Sequence, residues 1–224
     1  MVFSFHVFRY MVRIMPLQNR VDPFGQIVAT PQHGTLMGNR GQLHNDHKQL
    51  VRQRCPEKRW IYCQLEFNGR KRELMAPGQY TELFFLDQPT ALAAGHRPCA
   101  SCRRQEYMRF REAVAKGNPG LGIEPSSPID AVDRAMHHDR LTELGEQKVF
   151  KARLVELPQG TIVVADPKDG PQLWAGQRLL PWSFDGYGPG KKVAPEKEVT
   201  VLTPRLMVNA LASGFPVVLP PTKK

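Results

Sequence analysis

The sequence predicts an α+β protein, with short strands and helices in an N-terminal module and a smaller strand-rich C-terminal part. Three observations carry that expectation. Apolar residues recur in short runs, some alternating as in half-buried strands and others spaced as on one face of a helix. Twenty prolines and eighteen glycines in 224 residues favour many turns over long helices. A hydrophobic content of 41%, with 8% aromatics, is that of a globular chain with a real core and excludes disorder throughout.

Taken in order, residues 1–14 are apolar and aromatic, with Arg9 and Arg13. They are too short to span a bilayer and lack a small-residue cleavage site. They read as an upstream extension of the reading frame with Met15 as the natural start, a short targeting segment or a strand being the other readings. Residues 15–116 form the expected N-terminal module. Val21-Asp22-Pro23-Phe24-Gly25 and the stretch 33–41 mark tight turns between short strands. Residues 48–59 are basic and polar, a surface connection. Residues 60–67 alternate as a strand, Asn68-Gly69 is a hairpin signal, and residues 70–75 are expected to return as the partner strand.

Residues 81–86 read as another strand. Asp87 suits an N-cap and Pro89 an early helical position before Thr90-Ala91-Leu92-Ala93-Ala94, and Gly95 ends that helix. Residues 105–115 are a second helix, with Tyr107, Met108, Phe110 and Val114 as its apolar positions. The Gly-, Pro- and Ser-rich stretch 117–128 is a linker or exposed loop. In the C-terminal part, 129–224, a helix is expected at 129–144, strands at 149–157, 161–165, 172–174 and 199–202, and a last helix at 204–213 capped by Gly214.

The chemistry is concentrated in four cysteines, Cys55, Cys63, Cys99 and Cys102. No secretory signal or dense cysteine pattern suggests a disulfide framework, and the chain reads as soluble and cytoplasmic. Cys99-x-x-Cys102 puts two thiolates on one tight turn, close enough to chelate a tetrahedral ion, and Pro98 restricts that turn. Arg97, Arg103 and Arg104 surround the pair and are expected to lower its thiol pKa values. With Cys55 and Cys63 the count suits an all-cysteine site for Zn2+. Seven residues separate Cys55 from Cys63, a longer spacing than a zinc knuckle usually has, so His44 or His47 is the alternative fourth ligand.

The segment from Phe85-Leu86 through Ala91-Leu92-Ala93-Ala94-Gly95-His96-Arg97-Pro98-Cys99-Ala100-Ser101-Cys102-Arg103 resembles the second half of the Ada-type metal-binding domain of DNA alkylation-repair proteins. The resemblance covers about 50 of the 224 residues and centres on Gly-x-Arg-Pro-Cys-x-x-Cys. It implies that Cys99 and Cys102 are zinc ligands, with Cys63 a third. The chain differs from that family in three places. Its first cysteine pair is wider, His96 stands where an aromatic is typical, and Arg103-Arg104 replaces a basic-Pro ending. The family's methyl-accepting role for its first cysteine does not transfer to Cys55 at this spacing. The whole chain is also similar to an uncharacterised bacterial family, from which no activity follows.

The formal net charge is +10, and residues 1–112 carry most of it, with 17 Lys and Arg against 9 Asp and Glu. Such a surface suits a polyanionic partner, because cations displace counterions from phosphates. Contact with nucleic acid, DNA ahead of RNA, is therefore expected through Arg52, Arg54, Lys58, Arg59, Arg70, Lys71, Arg72, Arg103 and Arg104. An enzyme using Cys55 as a thiol methyl acceptor, a histidine-assisted metal hydrolase, and a structural-zinc interaction domain are the alternatives. His137-His138-Asp139 reads as a surface or helix-end feature, because adjacent helical side chains diverge. Gly38-Asn39-Arg40-Gly41 reads as a turn rather than a phosphate cradle, and Trp174, Trp182, Phe184 and Tyr187 as packed residues rather than a base-stacking surface. No Walker motif, Rossmann fingerprint, nucleophile elbow or HExxH occurs.

Overall fold

A computed structural model describes residues 15–54, 56–69 and 73–220, and shows an α+β fold. In chain order its elements are β1 (Gln18–Val21), β2 (Ile27–Ala29), β3 (Leu36–Asn39), β4 (Ile61–Cys63), β5 (Leu83–Phe85), α1 (Gln88–Ala93), β6 (Arg97–Pro98) and α2 (Arg104–Gly117). They continue with α3 (Ile129–Arg140), β7 (Phe150–Arg153), β8 (Ile162–Val164), β9 (Gln172–Trp174), β10 (Arg178–Ser183), β11 (Gly186–Tyr187), β12 (Lys191–Lys192), β13 (Glu198–Val201) and α4 (Arg205–Ala212). No helix among the described residues is long and apolar enough to cross a membrane.

The first sheet has the order β2-β1-β5-β3-β4-β6 and is mixed: β1 runs parallel to β5 and β4 parallel to β6. The second has the order β11-β10-β9-β8-β13-β7, with β12 on β10, and its pairs are antiparallel. Two short helices fill the space between the sheets. On α1 and its C-cap, Ala91, Leu92 and Ala94 join the first sheet's core, while Ala93 packs with Ile162, Leu173, Leu180 and Leu202 of the second sheet's region. On α4, Leu206, Met207, Ala210 and Leu211 face the first core and Val208 the second. A helix buried on two sides must be apolar nearly all round, as Leu206-Met207-Val208 is.

Local chemistry sets the boundaries. The Asp87 carboxylate accepts from the Thr90 N–H at 2.9 Å, with Pro89 in the first turn of α1. Gly95 follows the C-cap at φ +78°, and a Cβ there would stand 2.7 Å from Arg140 Cδ, so both backbone and space require glycine. Gly38, expected in a turn, lies inside β3 instead. A Cβ there would stand 2.3 Å from the Ile61 carbonyl oxygen, so it lets β4 approach closely.

Other expectations need correction. β4 pairs with β3 and β6, not with a hairpin partner. The turn at Asn68 and Gly69 has positive φ at both residues, yet 73–75 form no strand, and 70–72 lie outside the described residues. Met108 is exposed rather than apolar core, whereas Tyr107, Phe110 and Val114 are buried. The stretch 117–128 is a surface loop with one turn of 3-10 helix at Pro119–Leu121, but it is pinned. Asn118 donates to Val114 O and Leu206 O and accepts from Asn209. Strands β10, β11 and β12 had no counterpart in the expected elements.

Candidate metal centre

The three described cysteines are brought together by one strand pairing. Ile61 pairs with Arg97 and Tyr62 with Pro98 in parallel, so the next residue along each strand, Cys63 and Cys99, comes to the same end of the pair. The Cys99 N–H donates to Tyr62 O at 2.9 Å, and the Arg103 N–H to Cys99 O at 3.1 Å, closing the turn that returns Cys102 to the pair. The Cys63, Cys99 and Cys102 sulfurs all lie within 4.8 Å of one another. Thiolates bound tetrahedrally at about 2.3 Å from a zinc ion stand roughly 3.8 Å apart, so sulfurs this close can serve as three donors to one ion.

Backbone N–H groups converge on the sulfurs. Ser101 N–H points at Cys99 Sγ (3.4 Å), the Cys102 N–H also donates to Cys99, and the Gln64 N–H donates to Cys102. The Cys99 thiol is lowered to about 5, first by the hydrogen bond from Cys63, with burial opposing and the two N–H groups assisting. Cys63 is pushed up, first by the hydrogen bond it gives Cys99 and then by burial, and burial also raises Cys102. The three sulfurs thus favour the thiolate at Cys99 over Cys63 and Cys102, and a divalent cation bound by such a set would couple its binding to proton release.

Arginines do not create this environment, contrary to expectation. Arg97 is 2% exposed and turns away into a two-point ion pair with Asp133 of α3, Nε–Oδ1 2.6 Å and Nη2–Oδ2 2.8 Å. Arg103 is engaged by Glu106 and lies over the Tyr62 ring, 5.3 Å from its centroid. Beneath the triad, Glu106 accepts from Tyr62 Oη and from Gln88 Nε2 (2.8 Å), fastening β4, α1 and α2 to one another.

Cys55, the expected fourth ligand, lies outside the described residues, as do Arg70, Lys71 and Arg72. The histidine alternatives are corrected. Both ring nitrogens of buried His44 are occupied, by Thr81 Oγ1 at 2.7 Å and Ala76 O at 3.1 Å. His47 is exposed, and neither joins the sulfurs. Of the expected basic contacts, Arg52, Lys58, Arg59 and Arg104 are exposed and Arg54 is half-buried. Arg104 and the exposed Arg109 border a shallow cleft that reaches Cys102. Lys58 and Arg59 share their cleft with Asp130 and Asp133, so charge there is mixed.

A second cavity of about 350 Å3 opens on all three cysteines, walled by Leu65, Phe67, Leu74 and Phe84, with Asn39, Tyr80 and Glu82 among its lining. Nothing in the sequence marked Asn39 or Glu82, since isolated polar residues in strands carry no spacing signal. Behind β4, Arg40 and Arg140 are buried with their guanidinium carbons 4.4 and 3.8 Å from the Trp60 ring centroid. Burial, then neighbouring arginines, lowers Arg40 to about 9. Thus Gly38-Asn39-Arg40-Gly41 presents no arginine to a phosphate. Asp139 of the His137-His138-Asp139 run accepts from Leu206 N–H at 2.7 Å, a structural role at the start of α4. Trp174 and Tyr187 are buried, as expected of packed residues.

Compared with protein families, with curated proteins and with solved structures, the chain matches none.

Proposed function

We propose that this is a zinc-binding protein whose basic flank contacts nucleic acid, DNA ahead of RNA. The observation that supports it most directly is the convergence of the Cys63, Cys99 and Cys102 sulfurs within 4.8 Å. Soft thiolate donors select zinc, copper(I) or iron–sulfur clusters over hard cations, and N–H···S bonds spread the charge of several thiolates around one ion. An Ada-like arrangement, with Cys99 and Cys102 as a chelating pair on a turn and Cys63 as third ligand, agrees with this donor set. The ion fixes the turn 99–102, and that turn leads directly into α2, so Arg104 and Arg109 are held beside the metal.

A histidine-assisted hydrolase is the weaker reading, because no histidine joins the thiols among the described residues. The test is retention of duplex DNA by the zinc-loaded protein across a salt series. Binding is expected to weaken steeply with salt, and a double substitution Arg104→Glu/Arg109→Glu to reduce the salt slope by about 2 as well as the affinity. Salt-independent retention, or retention unchanged by that substitution and by charge reversal at Arg70, Lys71 and Arg72, leaves zinc in a structural role for a protein-interaction domain.

A further inference from the structure

We propose that the cleft beside the three cysteines is a ligand site, taking a small, neutral or cationic heteroaromatic molecule that donates a ring nitrogen to the bound metal. This rests on the zinc reading and extends it, assigning the cleft-facing side of the thiol triad to a molecule from outside the chain.

Four observations converge. The cavity, about 350 Å3, borders all three sulfur-bearing residues, so a molecule seated in it lies against the metal. That volume is within the range of about 300–1,000 Å3 typical of small-molecule pockets. Among the described residues the cluster supplies three donors, whereas zinc is commonly four-coordinate, three protein ligands plus an exogenous one being the pattern of reactive or ligand-binding sites. The walls, Leu65, Phe67, Leu74 and Phe84, are apolar and aromatic, which suits a flat ring.

Charge then narrows the class. Three thiolates on a divalent cation leave one net negative charge. Glu82, also lining the cleft, is 2% exposed. One of its oxygens accepts from the Met75 N–H at 2.8 Å, and among the described residues no Lys, Arg or His forms a salt bridge with it. A buried carboxyl of this kind welcomes an N–H donor, and the net negative metal set disfavours an anion. A ring with one bare nitrogen for the metal and one N–H for Glu82 meets both demands. A carboxylate or phosphate meets neither.

The test uses the full chain loaded with cobalt(II) in place of zinc, titrated with benzimidazole and, separately, with benzoate. The ligand-field bands of cobalt are expected to shift saturably with benzimidazole and not with benzoate. Leu74→Arg, which puts a bulky cation at the partly exposed wall, is expected to weaken the benzimidazole response about tenfold or more while leaving the starting spectrum unchanged. Thermal unfolding of the zinc form in the presence of benzimidazole provides a second readout, rising for the wild type and not for Leu74→Arg. Cobalt thiolate bands that benzimidazole does not move overturn the ligand site and leave the metal centre standing. A shift equally strong in Leu74→Arg also overturns it, as adventitious binding. Absence of any thiolate-to-cobalt band overturns both readings at once.

Discussion

His96 sits wholly buried between the Trp60 and Phe85 rings, with centroids 5.3 and 4.6 Å away, and Arg40 Nε donates to its Nε2 at 3.3 Å. Burial first, then the charges of Arg40 and Arg140, holds its pKa well below the ordinary 6.5, so it is neutral in the fold. Its contribution to stability is complete above 6.5 and is lost as pH falls from there toward the lowered folded value, because the unfolded chain takes up a proton that the folded one refuses. Between those limits the wild type is expected to lose about 1.4 kcal/mol per pH unit more than His96→Phe, measured by urea unfolding at successive pH values. Equal slopes for the two proteins contradict the assignment. The same residue shows how far a motif can be read from sequence. Gly95-His96-Arg97-Pro98 marked the approach to the cysteines, but each side chain acts elsewhere: His96 packs in the core and Arg97 reaches α3.

At the scale of elements, β6 is only two residues long, yet it carries the approach to two of the three cysteines. It is held on one side by β4 and on the other by the Arg97–Asp133 pair. Asp133→Ala leaves Arg97 buried without its partner and is expected to cost about 3–5 kcal/mol in chemical denaturation. Metal affinity should fall with it, since the turn 99–102 hangs from β6. A loss under about 1 kcal/mol, the range of an exposed pair, argues against this role. Elements with local signals were legible in the sequence: the Asp87 cap, Pro89 and the Gly95 stop gave α1, and the strand expected at 81–86 contains β5. The partner of β4 was not legible, because Asn68-Gly69 satisfies a local hairpin rule while the pairing with β6, Ile61 with Arg97, is decided by tertiary contacts 36 residues downstream. Strand β10 escaped notice since Pro181 and neighbouring glycines imitate a loop. For the site, the Cys99-x-x-Cys102 spacing and a third thiol at Cys63 were readable, whereas Glu82 and Asn39 reach the cleft only through the register of β3 and β5.

Over the whole molecule, the sequence suggested a basic N-terminal module separable from the C-terminal part near 117–128. The core runs across that boundary: Phe110, Ala113 and Val114 of α2 share one cluster with Val132 and Met136 of α3 and with Leu206, Met207, Ala210 and Leu211 of α4. A chain ending at residue 128 strips α2 of its partners and is expected to lack a cooperative thermal transition, by circular dichroism, even with zinc added. A sharp transition in that fragment contradicts a shared core. The cysteine cluster therefore draws its rigidity from both parts, while most of the excess positive charge belongs to the first.

The most direct test is zinc content with thiol count, on reduced protein never exposed to chelator, for the wild type and for Cys55→Ser, Cys63→Ser, Cys99→Ser and Cys102→Ser. The expected result is one equivalent of zinc per chain, lost with Cys63, Cys99 or Cys102, and the Cys55→Ser protein shows whether a fourth thiol of the chain joins them. Metal-free wild-type protein, or zinc undiminished by Cys63→Ser or Cys99→Ser, contradicts the metal centre itself.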